Sequence, residues 1–301
     1  MKQKRILCIG NSVLDQVYTV PRLPKEPGKN FATAFLEVGG GPAATGSVAV
    51  ARLGHYAKLW SRIGDDAAAD SIQKELRHYG VDTGGMYRAP GVVSPIAAVI
   101  VDGEGERTIV CFNDKNLPLD AHWLPLDEVA SFDCVLGDVR WARGVAETFT
   151  KAAACGVPTV FDGDLCPDEE DIRTLAALAG HAIFSESGLR QCSGESDPEA
   201  GLKKVAAAIS GVPYVTMGDK GCLWMEDGAL RHIPAFRVKV VDTTGAGDVF
   251  HGAFAVALAE GRKGGDALRF ASGAAALKCT VPGGRAGIPD RPALDKFLAE
   301  N

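Results

Sequence analysis

The sequence predicts an α/β fold in which helices cover both faces of a central, mainly parallel β-sheet. Short β-branched runs alternate with helical stretches along most of the 301 residues, and this alternation is typical of parallel strands joined by crossover helices. The chain is 46% hydrophobic and 23% charged, which supplies a large core and excludes a disordered protein. We expect a single domain over residues 1–301, because no linker and no internal repeat interrupts the pattern.

The individual elements follow from apolar runs and their flanking turn residues. Strands are expected at Ile6–Gly10, Lys58–Ile63, Cys134–Leu136, Thr159–Phe161, Ala182–Phe184, Tyr214–Thr216 and Val238–Val241. Helices are expected at Ala43–Leu53, Ala67–Tyr79, Gly144–Ala154, Glu169–Ala179, Glu199–Ile209 and Val249–Ala259. Pro42 and Gly54 flank the first of these helices, in the positions that proline and glycine favour at helix ends.

Two stretches have no helical pattern. Tyr18–Glu37 contains three prolines, and Ser94–Phe112 contains two β-like runs, Ile96–Val101 and Arg107–Phe112. The residues that join these runs, Asp-Gly-Glu-Gly-Glu, favour a hairpin. We therefore expect the segments at about 12–38 and 94–116 to form a small side sheet.

Charge, hydropathy and cysteine usage narrow the possible partners. With 32 Lys and Arg against 38 Asp and Glu, the formal net charge is −6. Proteins that bind nucleic acids usually carry an excess of positive charge, so this balance argues against nucleic-acid binding. No apolar run approaches the ~20 residues of a membrane span. The eight cysteines lack the paired spacing of a zinc site and are typical of thiols in a reducing cytoplasm. We expect a cytoplasmic protein that binds neither nucleic acid nor membrane.

A glycine-rich loop at Asp242–Asp248 has the strongest chemical character. Gly245, Ala246 and Gly247 carry little or no side chain, so their N–H groups can converge on an anion at the positive end of the following helix. Asp248 follows directly, where a carboxylate can take a proton from a hydroxyl that attacks a phosphoryl group. The alternative role for Asp248 is that of an ordinary N-cap.

This loop and the segment Glu37-Val-Gly-Gly-Gly-Pro-Ala-Ala-Thr45 resemble the two signatures of the ribokinase, or PfkB, family of carbohydrate kinases. The resemblance covers essentially the whole chain. It implies a ribokinase-like three-layer sandwich with a small β lid, built from the two segments without helical pattern. It also implies transfer of the ATP γ-phosphoryl group to a sugar hydroxyl with Mg²⁺, and a homodimer formed through the lid strands.

The resemblance also implies roles for individual residues. Asp248 would be the catalytic base and Gly245, Ala246 and Gly247 the anion hole. The sugar would be contacted by Asp15, placed at the end of the first strand, and by the backbone at Gly40 and Gly41; the alternatives are a turn aspartate and a helix-entry turn. The nucleotide would be bound by Thr216, Gly218, Gly221, Gly283 and Gly284, and Asp242 would hold a monovalent cation such as K⁺.

The chain departs from the family pattern at the N-x-x-E motif, which organises Mg²⁺ and phosphate. Ser185 stands in place of the Asn and Gly188 in place of the Glu. Ser185 and Glu186 are therefore the candidate cofactor contacts, with Glu186, Asp162 or Asp164 as possible metal carboxylates. A second departure is Thr45, where many members have Asn.

A finer resemblance is to the branch that phosphorylates the 1-hydroxyl of 6-deoxy-6-sulfofructose. It is carried by the glycine segment at residues 37–45, by Asp138-Val-Arg-Trp141, Asp162-Gly-Asp164 and Asp242–Gly252, and by strings within residues 269–290. A sulfonate needs fixed cationic and N–H donors, and Arg140, Lys29 and Asn113 are the candidates. Asn113 would substitute for the Asn that this branch carries where this chain has Cys111.

Alternative interpretations of these residues and of the function stay open. The Arg140 guanidinium could pair with a carboxylate such as Asp138, and Lys29 could be a solvated loop charge. The same cations would suit a sugar phosphate, and the substrate could be fructose, a fructose phosphate or another sugar. In a different class, the chain could be a non-catalytic sugar or nucleotide sensor. His251, three residues after Asp248, is expected to pack beneath the site.

Overall fold

The computed structural model describes residues 2–103 and 106–301, in which nine strands form one large sheet. These strands are β1 (Arg5–Ile9), β4 (Tyr56–Gly64), β5 (Asp82–Ala89), β8 (Cys134–Asp138), β9 (Thr159–Gly163), β10 (His181–Ser185), β11 (Val212–Thr216), β12 (Cys222–Glu226) and β13 (Ala229–Ile233). Their spatial order is β13-β12-β11-β10-β9-β8-β1-β4-β5. All pairs from β11 to β5 are parallel, and β12 and β13 add antiparallel pairs at one edge. The sheet is thus mainly parallel, as predicted.

Helices cover both faces of this sheet. They are α1 (Pro42–Arg52), α2 (Ala67–His78), α3 (Ala142–Cys155), α4 (Glu169–Leu178), α5 (Glu186–Ser193), α6 (Pro198–Ala208), α7 (Ala246–Ala259), α8 (Gly264–Cys279) and α9 (Arg291–Glu300). Alternation along β1 shows why two core layers form, since successive side chains of a strand point to opposite faces. Ile6 and Cys8 pack with α1, α2 and α7–α9, whereas Leu7 and Ile9 pack with α3–α6.

A second sheet of four strands lies outside this sandwich. Its strands are β2 (Val13–Thr19), β3 (Ala34–Gly40), β6 (Ile96–Val101) and β7 (Arg107–Phe112), in the order β3-β2-β6-β7. The predicted pairing of the runs 96–101 and 107–112 is confirmed, with both bounds as expected. Part of the predicted hairpin connection, residues 104 and 105, lies outside the described residues. We call these four strands the small sheet.

Two sequence predictions of local structure are wrong. Residues 238–241 form no strand, because the amides of Val241 and Asp242 donate to the Cys279 carbonyl at the end of α8 instead of to a neighbouring strand. Asp15 does not end the first strand; it lies within β2 of the small sheet, opposite Val38 and Ala97. The strands β5, β12 and β13 and the helices α5, α8 and α9 were not predicted.

Within residues 2–103 and 106–301, no helix is both long enough and apolar enough to cross a membrane. The parallel strands of the large sheet all end on the same edge of that sheet. The helices α1 and α5 and the helical turn Val139–Trp141 begin at this edge. In open α/β sheets this edge is where ligands bind. Four candidate residues lie at or directly after these strand ends: Asp138, Asp164, Ser185 and Thr216.

Candidate active site

The loop before α7 presents free amides at a helix N-terminus. Gly245 occupies the N-cap position with a φ of 73°, a conformation that favours glycine. Within the described part of the chain, the N–H groups of Gly245 and Gly247 have no hydrogen-bond partner, whereas the Ala246 N–H donates to the Thr243 carbonyl at 3.2 Å. Two of the three amides expected to form the anion hole are therefore free to bind an anion.

Asp248 lies in the first turn of α7. Its charged neighbours include two buried residues, Asp162 and His251. Burial, and then the charge of Asp162, raise the pKa of Asp248 to about 7. His251 is buried beneath it, with Nδ1 2.7 Å from the Gly247 carbonyl oxygen and 3.4 Å from Asp162 Oδ2. Asp248 is thus a carboxylate whose proton affinity suits exchange near neutral pH.

Asp138 organises the backbone around the site. Its side chain is almost fully buried at the end of β8. Oδ2 accepts the N–H groups of Asn11 and Ala43 at 2.8 and 2.9 Å, and Oδ1 accepts the Arg140 N–H at 2.8 Å. One carboxylate therefore fixes the turn after β1, the start of α1 and the turn that carries Arg140.

The three glycines before α1 are needed for three different close contacts. A Cβ on Gly39 would lie 1.8 Å from Arg285 Nη1, and one on Gly40 would lie 2.4 Å from Asp15 Oδ2. Gly41 has a φ of 94°, and a Cβ there would lie 2.6 Å from the Asn11 carbonyl oxygen. The glycine segment thus brings backbone against Asp15, the predicted sugar ligand.

Arg285 connects the loop after α8 to this glycine segment. Its buried guanidinium donates to Gly40 O at 2.8 Å, to Glu75 Oε2 at 3.0 Å and to Thr45 Oγ1 at 3.3 Å. Burial raises the pKa of Asp15, and the positive charge of Arg285 opposes this shift. The guanidinium therefore joins the strand β3, the helices α1 and α2, and the loop that contains Gly283 and Gly284.

The glycines predicted to contact the nucleotide adopt conformations that favour glycine. Gly218 and Gly221 have φ values of 58° and 90°, and Gly283 and Gly284 have values of 86° and 31°. The Gly283 N–H donates to Asp242 Oδ2 at 2.8 Å, so the loop after α8 is tied to the loop before α7. Thr216 ends β11, and its hydroxyl donates to the Phe184 carbonyl on β10.

Asp242 is an ionised anchor between these two loops. Oδ1 accepts the Thr244 N–H at 2.8 Å, and Lys278 Nζ lies 3.5 Å from Oδ2 and 2.9 Å from the Asp242 carbonyl oxygen. Although burial acts to raise it, the hydrogen bonds from Thr244 and Gly283 and the charge of Lys278 lower the pKa of Asp242 to about 2. The Asp242 oxygens thus face N–H donors.

The altered N-x-x-E segment has a structural reason. Ser185 is the N-cap of α5; its Oγ accepts the Gly188 N–H at 3.0 Å and donates to Asp164 Oδ1 at 2.9 Å. A Cβ on Gly188 would lie 1.9 Å from the Gly163 carbonyl oxygen, so no glutamate fits there. Glu186 is exposed in the first turn of α5, on the same sheet edge as Asp164.

In the described part of the chain, no hydrogen bond or ion pair joins any two of the three predicted sulfonate contacts. The Arg140 side chain is 36% exposed and pairs with Asp164 at 3.3 Å, not with Asp138, which binds only its backbone N–H. Lys29 is exposed in the loop between β2 and β3, and Asn113 is exposed just after β7. Cys111 lies in one cross-strand row with Ala97 and Asp15, so Asn113, two residues on, continues the face that carries Asp15.

Four functional candidates escaped the sequence analysis. From the sequence, Asp138 is only an alternative partner of the Arg140 guanidinium, and Lys278 and Arg285 have no assigned role. Arg107 begins β7 of the small sheet, and its Nη1 donates to Thr244 Oγ1 at 2.9 Å. The small sheet therefore contacts the loop before α7 directly, a relation between residues 137 positions apart that no local pattern signals.

Comparison with known proteins identifies relatives of the whole chain. A family model described as pfkB family carbohydrate kinase matches residues 3–291. The ribokinase of Bacillus subtilis (strain 168) is 29% identical over 300 residues, which cover 98% of this chain and all of the relative. Fructokinase-1 of Oryza sativa subsp. japonica is 26% identical and covers 99% of this chain and 98% of its own length.

Solved structures with the same architecture include a putative ribokinase from Agrobacterium tumefaciens. It is 38% identical, has a TM-score of 0.94 and matches 99% of this chain and 98% of its own. The Arabidopsis thaliana ribokinase complexed with ribose and ATP is 25% identical, with a TM-score of 0.87 over 98% of this chain and 99% of its own. The ribokinase-like fold expected from the sequence is confirmed.

Proposed function

The chain belongs to the pfkB family of carbohydrate kinases, and from this we infer that the edge of the large sheet described above is a phosphoryl-transfer site. The reaction moves the γ-phosphoryl group of ATP to a sugar hydroxyl. The observation that carries this assignment is the position of Asp248, whose carboxylate, with a pKa raised to about 7, lies one residue after the free Gly247 amide. A base and an anion-binding N–H group are thus adjacent.

The mechanism follows from these groups. The Asp248 carboxylate takes the proton of the attacking sugar hydroxyl as the new oxygen–phosphorus bond forms and the bond to the β,γ-bridging oxygen of ATP breaks, releasing ADP. The amides of Gly245 and Gly247 and the N-terminus of α7 face the negative charge on the transferred group. Asp15 and the backbone at Gly40 orient the sugar.

The carboxylates at the ends of β9 and β10 fit a magnesium nucleotide. Mg²⁺ prefers oxygen ligands, keeps several waters and usually needs only one or two protein carboxylates. Asp164 is half-exposed and Glu186 is exposed on that edge, so these two would hold the ion, with the Ser185 hydroxyl bonded to Asp164. When bound, Mg²⁺ would neutralise charge on the ATP phosphates.

For the substrate we propose 6-deoxy-6-sulfofructose, phosphorylated on its 1-hydroxyl. The support is Arg140, a partly exposed cation at the carboxyl end of β8 whose backbone N–H is fixed by Asp138. A sulfonate is a permanent anion that would take over the guanidinium from Asp164. Lys29 and Asn113, from the small sheet and its loop, would complete the anion site.

The small sheet would act as a lid and as the contact between two copies of the chain. Its edge strands β3 and β7 leave Phe35, Leu36, Ile109, Val110 and Phe112 about half exposed or more. Exposed apolar edge strands favour pairing with a second chain, so we propose a homodimer through this sheet. Light scattering on Val110→Asp would then detect a monomer.

The exposed thiols of Cys111 and Cys155 form no disulfide. Because free thiols are typical of a reducing compartment, they favour a cytoplasmic location for the protein.

The test of the proposed function is ATP-dependent ADP release with a panel of sugars. The panel contains 6-deoxy-6-sulfofructose, fructose, fructose 6-phosphate, ribose and tagatose 6-phosphate, and each is assayed with the wild type, Arg140→Ala and Arg143→Ala. Arg143 is an exposed helix arginine and serves as the matched control. We expect sulfofructose to be preferred, with Arg140→Ala raising its KM and leaving the KM of uncharged fructose nearly unchanged.

Other results would redirect the assignment. The names of the relatives make ribose and fructose the second candidates, and turnover of an uncharged sugar that Arg140→Ala does not affect would favour them over an anionic substrate. A preference for a sugar phosphate would keep the anion site and discard the sulfonate. ATP binding without turnover of any sugar in the panel would favour a sugar or nucleotide sensor and contradict the kinase mechanism.

A further inference from the structure

A fully buried lysine lies beneath the loop that precedes α7. Lys278 is in the last turn of α8, and its side chain has no exposed surface. Its ammonium donates to the Asp242 carbonyl oxygen at 2.9 Å and lies 3.5 Å from Asp242 Oδ2. A buried charge is stable in a protein interior only when it is paired. The ion pair between Lys278 and Asp242 therefore holds the end of α8 to the loop before α7.

The Asp242 carboxylate and the end of α8 favour a positive charge on Lys278, whereas burial opposes them and lowers the pKa of the ammonium. The C-terminus of α8 presents carbonyl oxygens and the negative end of the helix dipole. The amides of Val241 and Asp242 both donate to the Cys279 carbonyl, which holds the loop before α7 against that helix end. A cation at this point balances the Asp242 carboxylate and the helix end together.

This arrangement does not fit the monovalent cation that the sequence resemblance implied at Asp242. An ion such as K⁺ needs several oxygen atoms with free lone pairs directed at it. The Asp242 carboxylate already accepts the N–H groups of Thr244 and Gly283, and its carbonyl accepts the Lys278 ammonium. A cation bound to these oxygens would also lie against that ammonium and be repelled by it.

We propose that the Lys278 ammonium is the resident cation of this site, so that phosphoryl transfer by this chain requires neither K⁺ nor Na⁺. The inference rests on the proposed kinase function. Lys278 holds Asp242, and Asp242 in turn holds the Thr244 N–H at the start of the anion-binding loop and the Gly283 N–H of the loop after α8. Lys278 is thus a positioning residue that acts on the reaction through both loops.

The first experiment uses the wild-type enzyme and its best sugar from the panel. Turnover is measured with tetramethylammonium as the only monovalent cation and again after K⁺ is added. We expect equal rates. Strong activation by K⁺ would overturn the proposal. If no sugar is turned over in either buffer, the proposed function fails separately, and the affinity for ADP, measured by calorimetry in the same two buffers, decides the inference: an unchanged affinity supports it and a K⁺-dependent affinity overturns it.

The second experiment removes the charge. In Lys278→Met we expect turnover without K⁺ to fall by about a hundredfold, as when a preorganised electrostatic contact is lost. In Lys278→Ala, which leaves more room, we expect added K⁺ to restore part of the rate. Lys239→Met, at an exposed lysine three residues before Asp242, is the matched control and should show no effect of K⁺.

The cation effect separates this role from a merely structural one. Melting temperature and ADP binding identify variants that remain folded. A folded Lys278→Met enzyme with full turnover would overturn the proposal, and so would the absence of K⁺ rescue in both Lys278 variants.

Discussion

The guanidinium of Arg285 donates a hydrogen bond to the carbonyl oxygen of Gly40 at 2.8 Å, across 245 positions of the chain. The same group binds Glu75 and Thr45, so it is held from three directions while its own backbone belongs to the loop after α8. That loop is tied to Asp242 through the Gly283 N–H. The glycine segment predicted to contact the sugar and the loop predicted to contact the nucleotide therefore share one buried arginine.

The first prediction concerns the planar geometry of Arg285. Arg285→Lys keeps the charge but cannot reach Gly40, Thr45 and Glu75 at once, since an ammonium lacks the guanidinium fork. We expect kcat/KM to fall by about a hundredfold, the size that displaced substrate-positioning groups produce. Steady-state kinetics for both substrates check this, with the exposed Arg143→Lys as control. A rate within the error of wild type would show that the fork is not needed.

The second prediction concerns the pH dependence of turnover. Burial and the charge of Asp162 raise the pKa of Asp248 to about 7, and a general base works only when it is ionised. We expect kcat/KM to fall as the pH is lowered through about 7, because this ratio reports the pKa values of the free enzyme. Burial also raises the pKa of Asp162, so the two carboxyl groups titrate as a pair. Asp162→Asn leaves a single carboxyl group, so the acid limb should move to lower pH. Asp248→Asn should bind ATP and lose most turnover.

Rate profiles for the wild type and both variants are measured in one buffer series of constant ionic strength. An acid limb that stays in place in Asp162→Asn would contradict the coupling between the two carboxylates. Near-normal turnover in Asp248→Asn would remove the assignment of the base.

The third prediction concerns the close approach of Gly40 to Asp15. A Cβ at residue 40 would lie 2.4 Å from Asp15 Oδ2, which is too short for any real contact, so Gly40→Ala must displace the Asp15 carboxylate. We expect the KM for the sugar to rise strongly while the affinity for ATP changes little. Gly265→Ala is the control, because a Cβ there meets only Trp224 at 3.9 Å. An unchanged sugar KM in Gly40→Ala would remove Asp15 from the sugar site.

The elements that the sequence predicted well are those with a local signal. The order of strands and helices follows from apolar periodicity and turn residues. The apolar run 249–259 predicts α7 and its end, but the helix begins three residues earlier, at Ala246. Residues 238–241 have the same β-branched composition as a strand, yet they lie along the end of α8, because strand formation needs a free neighbouring edge that composition does not reveal.

The parts of the site that escaped prediction depend on contacts between distant segments. Asp138 holds amides from residues 11, 43 and 140, and nothing adjacent to it in the chain marks it as buried. Gly188 replaces a motif glutamate because the Gly163 carbonyl oxygen occupies that space. A lysine near a helix end, such as Lys278, is expected at the surface, whereas the structure buries its side chain against Asp242.

The last prediction concerns stability in acid, away from the active site. Glu260, nearly fully buried, accepts hydrogen bonds from His55 Nε2 at 3.0 Å and from Arg262 and Arg291. Burial alone would raise its pKa, but these partners lower it from 4.5 to about 2. A carboxyl group whose pKa is lower in the folded state stabilises the fold above its unfolded pKa and loses that effect as the pH falls toward the folded value. The contribution of Glu260 is therefore complete above about pH 4.5 and declines toward about pH 2.

Urea unfolding of the wild type and Glu260→Gln at a series of pH values measures this contribution. The variant should be clearly less stable near neutral pH, because three cationic or N–H donors lose their anionic partner, and the gap should narrow as the pH falls below about 4.5. Glu300→Gln is the control: Glu300 belongs to an exposed pair with Lys296 at 3.9 Å, and such pairs contribute little. A gap for Glu260→Gln that is constant with pH would mean that the lost stability comes from packing, and not from the ionised carboxylate.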